Sequence, residues 1–194
     1  MKIAIVKYNA GNIASVQNAL GPLGVDSVVS DDADVLRRAD KVIFPGVGEA
    51  STAMRYLRER NLDDVITSLT QPVLGICLGM QLLCTHSEEN DTACLGIFPN
   101  RVRLFARSSL KVPHMGWNTI SGLDSPLFKG VAEGEHVYFV HGYYVEPSED
   151  SAAICKYGTD FAAAIQRSNF YAVQFHPEKS GIAGGRILEN FLNI

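Results

Sequence analysis

Residues 72–79 read Pro-Val-Leu-Gly-Ile-Cys-Leu-Gly, an apolar run ending on a cysteine set between two glycines. The spacing of Gly75, Cys77 and Gly79 is the thiol counterpart of the G-x-S-x-G nucleophile elbow, a sharp strand-to-helix turn in α/β proteins. Flanking glycines let the backbone bend tightly and keep side chains clear of the reactive atom. The thiol then projects where a helix begins, and backbone N–H groups there favour a thiolate and later an oxyanion. Cysteine is equally at home as a small buried hydrophobe, so the motif needs partners elsewhere in the chain.

Outward from the elbow, the first half of the chain alternates strands and helices. Ile3–Lys7, Ser27–Ser30, Lys41–Phe44 and Val73–Ile76 are short apolar strands. Asn12–Leu20, Asp34–Ala39, Ala50–Arg60 and Leu78–Ser87 carry helical spacing between them. This pattern predicts an open, mostly parallel central sheet with helices on both faces. The middle changes character. Gly96–Phe105, Asn118–Ile120, Val137–Val145, Ala152–Tyr157, Ala162–Gln166 and Tyr171–Phe175 read as strands joined by turns, an antiparallel extension of the sheet, before a last helix near Gly184–Leu192. No linker divides the chain, so residues 1–194 are expected to form a single domain.

Bulk properties narrow the function. Hydrophobic residues make up 46% and charged residues 20%, an ordinary globular composition. No apolar run approaches the ~20 residues that span a bilayer, and the N-terminus lacks a signal-peptide core, which points to a cytoplasmic protein. A net charge of −4 without a basic run argues against a nucleic-acid surface. Cys77, Cys84, Cys94 and Cys155 show no metal-ligand spacing, so free thiols and no metal are expected.

A thiol nucleophile needs a base and a group to orient it. His176 stands in Ala172-Val173-Gln174-Phe175-His176-Pro177-Glu178, just past an apolar strand. An extended stretch puts His176 and Glu178 on one side, so Glu178 can hold one imidazole nitrogen while the other faces Cys77. Pro45-Gly46-Val47-Gly48 follows another strand. Such a loop can cradle a phosphate, complete an oxyanion hole with the Leu78 N–H, or simply turn the chain. Phosphate binding lacks its lysine and glycine pattern, which favours the oxyanion hole.

Three segments, Pro72–Gln81 (PVLGICLGMQ), Pro45–Gly48 (PGVG) and Val173–Ser180 (VQFHPEKS), resemble the class I, triad-type glutamine amidotransferases, a family with a flavodoxin-like fold. Lys111–Asn118 (KVPHMGWN), Tyr138–Tyr143 (YFVHGY) and Asn9-Ala10-Gly11-Asn12 are similar to the branch that forms the glutaminase subunits of imidazole glycerol phosphate synthases in histidine biosynthesis. The resemblance covers essentially the whole chain. It implies hydrolysis of L-glutamine to glutamate and ammonia through a Cys77 thioester, with His176 as base and acid and Glu178 orienting it. The N–H groups of Leu78 and, after a peptide flip, Val47 would hold the oxyanion. Gly48, Gln81 and the backbone at Gly142 and Tyr143 would hold glutamine. Asn12, Trp117, Tyr138 and Lys179 would face a separate cyclase, a (β/α)8 barrel that receives the ammonia, in a heterodimer without a cofactor. His114 and His141 read as structural or interface residues. At position 142 the resemblance leads one to expect a small hydroxyl side chain, and this chain has Gly142. A glutaminase serving another synthase, or a non-catalytic regulatory module on the same fold, are the competing readings.

Overall fold

The computed structural model describes residues 1–8, 11–106 and 110–194. In chain order the elements are β1 (Ile3–Val6), α1 (Ile13–Leu20), β2 (Ser27–Ser30), α2 (Ala33–Arg38), β3 (Lys41–Phe44), α3 (Ala50–Glu59), α4 (Leu62–Thr67), β4 (Val73–Ile76) and α5 (Leu78–Leu82). They continue with β5 (His86–Ser87), β6 (Thr92–Ala93), β7 (Arg101–Leu104), β8 (His114–Thr119), β9 (His136–His141), β10 (Tyr143–Val145), β11 (Ser151–Tyr157), β12 (Thr159–Arg167), β13 (Phe170–Val173) and α6 (Gly181–Leu192).

The central sheet has seven strands in the order β11-β12-β13-β4-β3-β1-β2. The run from β13 to β2 is parallel, and β12 and β11 extend it antiparallel. β1, β3, β4 and β13 are buried at every position because both faces of the sheet are covered there, while β2 at the edge is not. Ala4, Val6, Val42 and Phe44 pack on one face against Leu36, Met54 and Leu57 of α2 and α3. Ile3, Ile5, Ile43 and Leu74 pack on the other against Val16 and Leu20 of α1 and Ile187 and Phe191 of α6.

The middle of the chain departs from the expected single extension. Of these strands, β11 and β12 join the main sheet antiparallel, and β13, expected in the antiparallel extension, joins it parallel to β4. The remaining strands form a four-stranded sheet, β10-β7-β5-β6, and a β8–β9 hairpin. The strand expected over Val137–Val145 breaks at Gly142, where the chain leaves β8 and pairs with β7 instead; the Gly142 carbonyl accepts from the Phe105 N–H at the handover. The helix expected over Leu78–Ser87 stops at Leu82. Its next carbonyls, on Leu82, Leu83 and Cys84, accept from Leu95, Ile97, Phe98 and Gly96, so a returning segment replaces the helical ladder. The short helix α4 had no clear helical signal of its own, and it packs by Leu62, Val65 and Ile66 beside α3.

The elbow places Cys77. Cys77 sits at φ 52°, ψ −108°, a conformation that costs an L-residue about 1–3 kcal/mol and is held by the surrounding structure. Its N–H donates to Val173 of β13 at 2.8 Å, and its carbonyl accepts from Gln81. A side chain at Gly79 would put Cβ 1.9 Å from the Phe44 carbonyl oxygen, so α5 can pass over β3 only with glycine there.

Candidate active site

Cys77 ends β4, the Pro45–Gly48 loop ends β3, and His176 follows β13. These three strands are adjacent and parallel, so the three segments meet at one carboxyl rim, where open α/β sheets bind their ligands. The His176 backbone is pinned on both sides. Its N–H donates to the Tyr138 carbonyl of β9 at 2.9 Å, and its carbonyl accepts from the Ser180 hydroxyl at 2.6 Å.

The imidazole is oriented as the sequence predicts. His176 Nδ1 lies 2.8 Å from Glu178 Oε1, and both side chains are fully buried. Nε2 is buried with no hydrogen-bond partner of ordinary geometry, leaving it for the sulfur and whatever binds beside it. Burial acts to lower the His176 pKa, but the nearby Cys77 sulfur and the Glu178 carboxylate outweigh it and hold the imidazolium up to about 9. Burial also acts to raise the Glu178 pKa; the His176 and Asn12 hydrogen bonds overcome it and keep the carboxylate below its usual range. The His176 pKa is raised, so its contribution to stability is full below pH 6.5 and is lost as pH climbs through about 9. In an NMR titration, His176 should stay protonated through neutrality and release its proton near pH 9. Cys77→Ala should lower that midpoint, and an unchanged midpoint would show that the sulfur is not its neighbour.

Seven predicted residues line one cavity of about 270 Å³: Val47, Gly48, Cys77, Leu78, Gln81, Gly142 and Tyr143. A larger depression, about 640 Å³, lies between Leu123–Lys129 and Glu149–Ala152; it is open and polar and is lined by neither a cysteine nor a histidine. Gln81 is buried, and its Nε2 donates to the Tyr143 carbonyl and to Gln174 Oε1, each at 3.0 Å. A Cβ at Gly142 would meet only Val112 Cγ1, at 3.8 Å, so the site has room for the hydroxyl side chain it lacks.

The two N–H groups expected to hold an oxyanion do not point into one space. The Leu78 N–H donates to the Gly46 carbonyl at 3.2 Å. In a trans peptide the C=O and N–H point in opposite directions, so the Val47 N–H faces away from Leu78. Gly48, at φ +127°, sits beside that peptide in a conformation only glycine adopts readily.

Asn12 is a correction. Expected at a partner surface, it is 4% exposed, and its Nδ2 donates to Glu178 Oε1 and lies 3.2 Å from His176 Nδ1. A buried amide is satisfied by buried acceptors, and here the triad carboxylate supplies one. Its neighbours Asn9 and Ala10 lie outside the described residues. Of the other surface residues named above, Trp117 is 56% exposed and Lys179 is exposed, while Tyr138 is half-buried and meets Trp117 edge-on.

Two site residues escaped the sequence reading. Among the described residues, Glu89 is the one acidic side chain lining the cavity. Its Oε2 accepts from the Ala50 N–H at 2.7 Å, and burial, with Glu49 adding, raises its pKa against that hydrogen bond. In sequence it sits in an acidic turn that reads as a solvated loop. Gln174 is fully buried, and its Nε2 donates to Cys77 Sγ at 3.6 Å. A glutamine inside an apolar strand was the available signal, because a buried amide needs a partner.

The sequence matches the family model described as glutamine amidotransferase class-I over residues 5–194. It is 60% identical to the imidazole glycerol phosphate synthase subunit HisH of Bacteroides fragilis, covering all of both chains. Identity to the HisH subunit of Shewanella loihica is 46%, over 98% of this chain and 89% of that one. Among solved structures, a putative GMP synthase protein from Thermoplasma acidophilum matches with a TM-score of 0.76 at 22% identity, covering 100% of this chain and 92% of that one. A glutamine amidotransferase matches at 0.75 and 19% identity, covering 98% and 97%.

Proposed function

The chain belongs to the class-I glutamine amidotransferase family, and from that premise we propose that it works as the glutaminase subunit of an imidazole glycerol phosphate synthase. Full-length similarity to HisH subunits supports the choice of synthase. The observation that carries the chemistry is the buried His176–Glu178 pair beside an elbow cysteine that opens into a glutamine-sized cavity.

The charges explain a two-step reaction. Beside the Cys77 sulfur, His176 favours the imidazolium. The thiolate attacks the glutamine side-chain carbonyl, and His176 protonates the departing ammonia. Acylation turns the sulfur into a neutral thioester and removes the largest influence raising the His176 pKa. The neutral imidazole is then a base for the water that releases glutamate. Glu178 and Asn12 keep the ring in place through both steps.

Glutamine enters as a zwitterion, and among the described residues Glu89 offers the one lining carboxylate for its ammonium group. A hydrogen bond to a charged group contributes about 1.5–3 kcal/mol, so Glu89→Gln should raise the KM for glutamine roughly 10–100-fold with a smaller change in kcat. An unchanged KM would remove Glu89 from this role.

The partner is a cyclase subunit that receives the ammonia, and the complex works in the cytoplasm. Docking falls to the β8–β9 face, where Trp117 is a solvent-exposed aromatic anchor and Met115 and Ile182 add apolar surface. Lys179 lies beside it. The Tyr138 carbonyl ties this face to His176. The test is affinity capture: recovery of a barrel cyclase that uses the chain's ammonia supports the reading, and recovery of an ATP-using synthetase overturns it.

A further inference from the structure

The hydrogen bonds around the cavity continue beyond its wall. His114 on β8 and His141 on β9 are cross-strand neighbours, 3% and 5% exposed, with His114 Nδ1 3.0 Å from His141 Nε2. They are packed among the rings of Phe105, Phe139, Tyr157 and Phe161. The two ends of the chain fix its protons. His141 Nδ1 lies 2.7 Å from the Tyr143 carbonyl, which can only accept, so Nδ1 carries the proton and Nε2 presents a lone pair. His114 must therefore donate from Nδ1, which leaves its Nε2 to accept from Asn118 Nδ2 at 3.4 Å. The Asn118 amide is itself oriented. Its oxygen accepts from the Thr119 N–H, and its nitrogen also donates to the Lys156 carbonyl. Each imidazole is neutral in one tautomer, because an added proton would set N–H against N–H. Burial pushes His114 down to about 4, and burial, with the charges of His114 and His176 adding, takes His141 to about 3.

The chain reaches the nucleophile. The Tyr143 carbonyl that holds His141 also accepts from Gln81, Gln81 donates to Gln174, and Gln174 donates to the Cys77 sulfur. We propose that His114 and His141 are positioning residues of the glutaminase, a hydrogen-bond relay from β8 that converges on the Tyr143 carbonyl, where Gln81 also donates and, through Gln174, ties in the sulfur of Cys77. Apolar residues would fill the same space without desolvating polar atoms, so packing alone does not account for two imidazoles here. The relay begins at Asn118, next to the exposed Trp117, and so spans from the docking face to the reacting atom.

This proposal rests on the glutaminase reading, and the experiment separates the two. In the complex with the cyclase, His141→Leu removes both hydrogen bonds, whereas His141→Gln can keep a donor for Tyr143 and an acceptor for His114. The leucine variant should raise the KM for glutamine roughly 10–100-fold, the effect of leaving one or two buried groups unsatisfied, while ammonia-driven turnover by the cyclase stays unchanged. The glutamine variant should recover to within about threefold of the wild type. Unmoved kinetics in the leucine variant, or equal damage in both, overturns the relay. A wild-type complex that fails to hydrolyse glutamine overturns the glutaminase reading and the relay with it. Should the leucine variant not fold, ¹⁵N NMR of the wild-type complex decides: both histidines neutral with the proton on Nδ1 supports the relay, and any other tautomer overturns it.

Discussion

Replacing Cys77 with alanine should abolish glutamine hydrolysis, a loss on the order of 10⁶-fold in turnover by comparison with other enzymes stripped of their nucleophile. None of the other three cysteines can take over the attack. Cys84 is fully buried, and Cys155 is buried and pushed up to about 12 by that burial. Cys94 is likewise raised, to about 11, chiefly by burial. The fold should survive the change, since alanine inherits the strained φ of 52° but keeps the flanking glycines and the backbone bond to Val173. Ammonia supplied from solution bypasses the missing step, so cyclisation driven by added ammonia should stay within about twofold of the wild-type complex. Glutamate release by the variant above background would contradict the assignment of the nucleophile.

The second large effect is the silence of the chain by itself. One oxyanion donor, the Leu78 N–H, is occupied by the Gly46 carbonyl, and the other, the Val47 N–H, lies on the far side of the same peptide plane. A single rotation of the Gly46–Val47 peptide reverses both, withdrawing the carbonyl and presenting the N–H. Losing one oxyanion donor typically costs about 10²–10³ in kcat. Glutaminase activity should therefore rise by at least about 10²-fold when the cyclase is added, as the partner favours the rotated peptide by the matching ~3 kcal/mol. Gly48 is the hinge beside the peptide, and Gly48→Ala should blunt the response because its φ of +127° is strained for any other residue. Glutamate release that is high in the isolated chain and unmoved by the partner would refute the gate.

The elbow, the triad and the parallel half of the sheet were legible in sequence because each is written in short-range spacing. Gly75, Cys77 and Gly79 lie within five residues, His176 and Glu178 are two apart, and buried parallel strands are uniformly apolar. The other site residues were not legible. Asn12 reaches Glu178 from 166 positions away, and nothing local distinguishes it from a surface asparagine. Glu89 looks like one more charge in an acidic turn until the fold aims it at the cavity. The length of α5 was missed because carbonyls that local propensity assigns to a helix are taken by Leu95–Phe98.

The amino-acid sequence by itself therefore singled out the candidate groups for the chemistry, since a thiol, an imidazole and a carboxylate in those local frames have few other uses. Tertiary structure decided what surrounds them: that Asn12 is buried against Glu178, that two histidines and two glutamines join β8 to the sulfur, and that the Gly46 carbonyl takes the Leu78 N–H. The physical reason is that residue types fix donors, acceptors and charges. Which of them meet depends on long-range packing, and the Gly46–Val47 peptide contains the same atoms in either orientation.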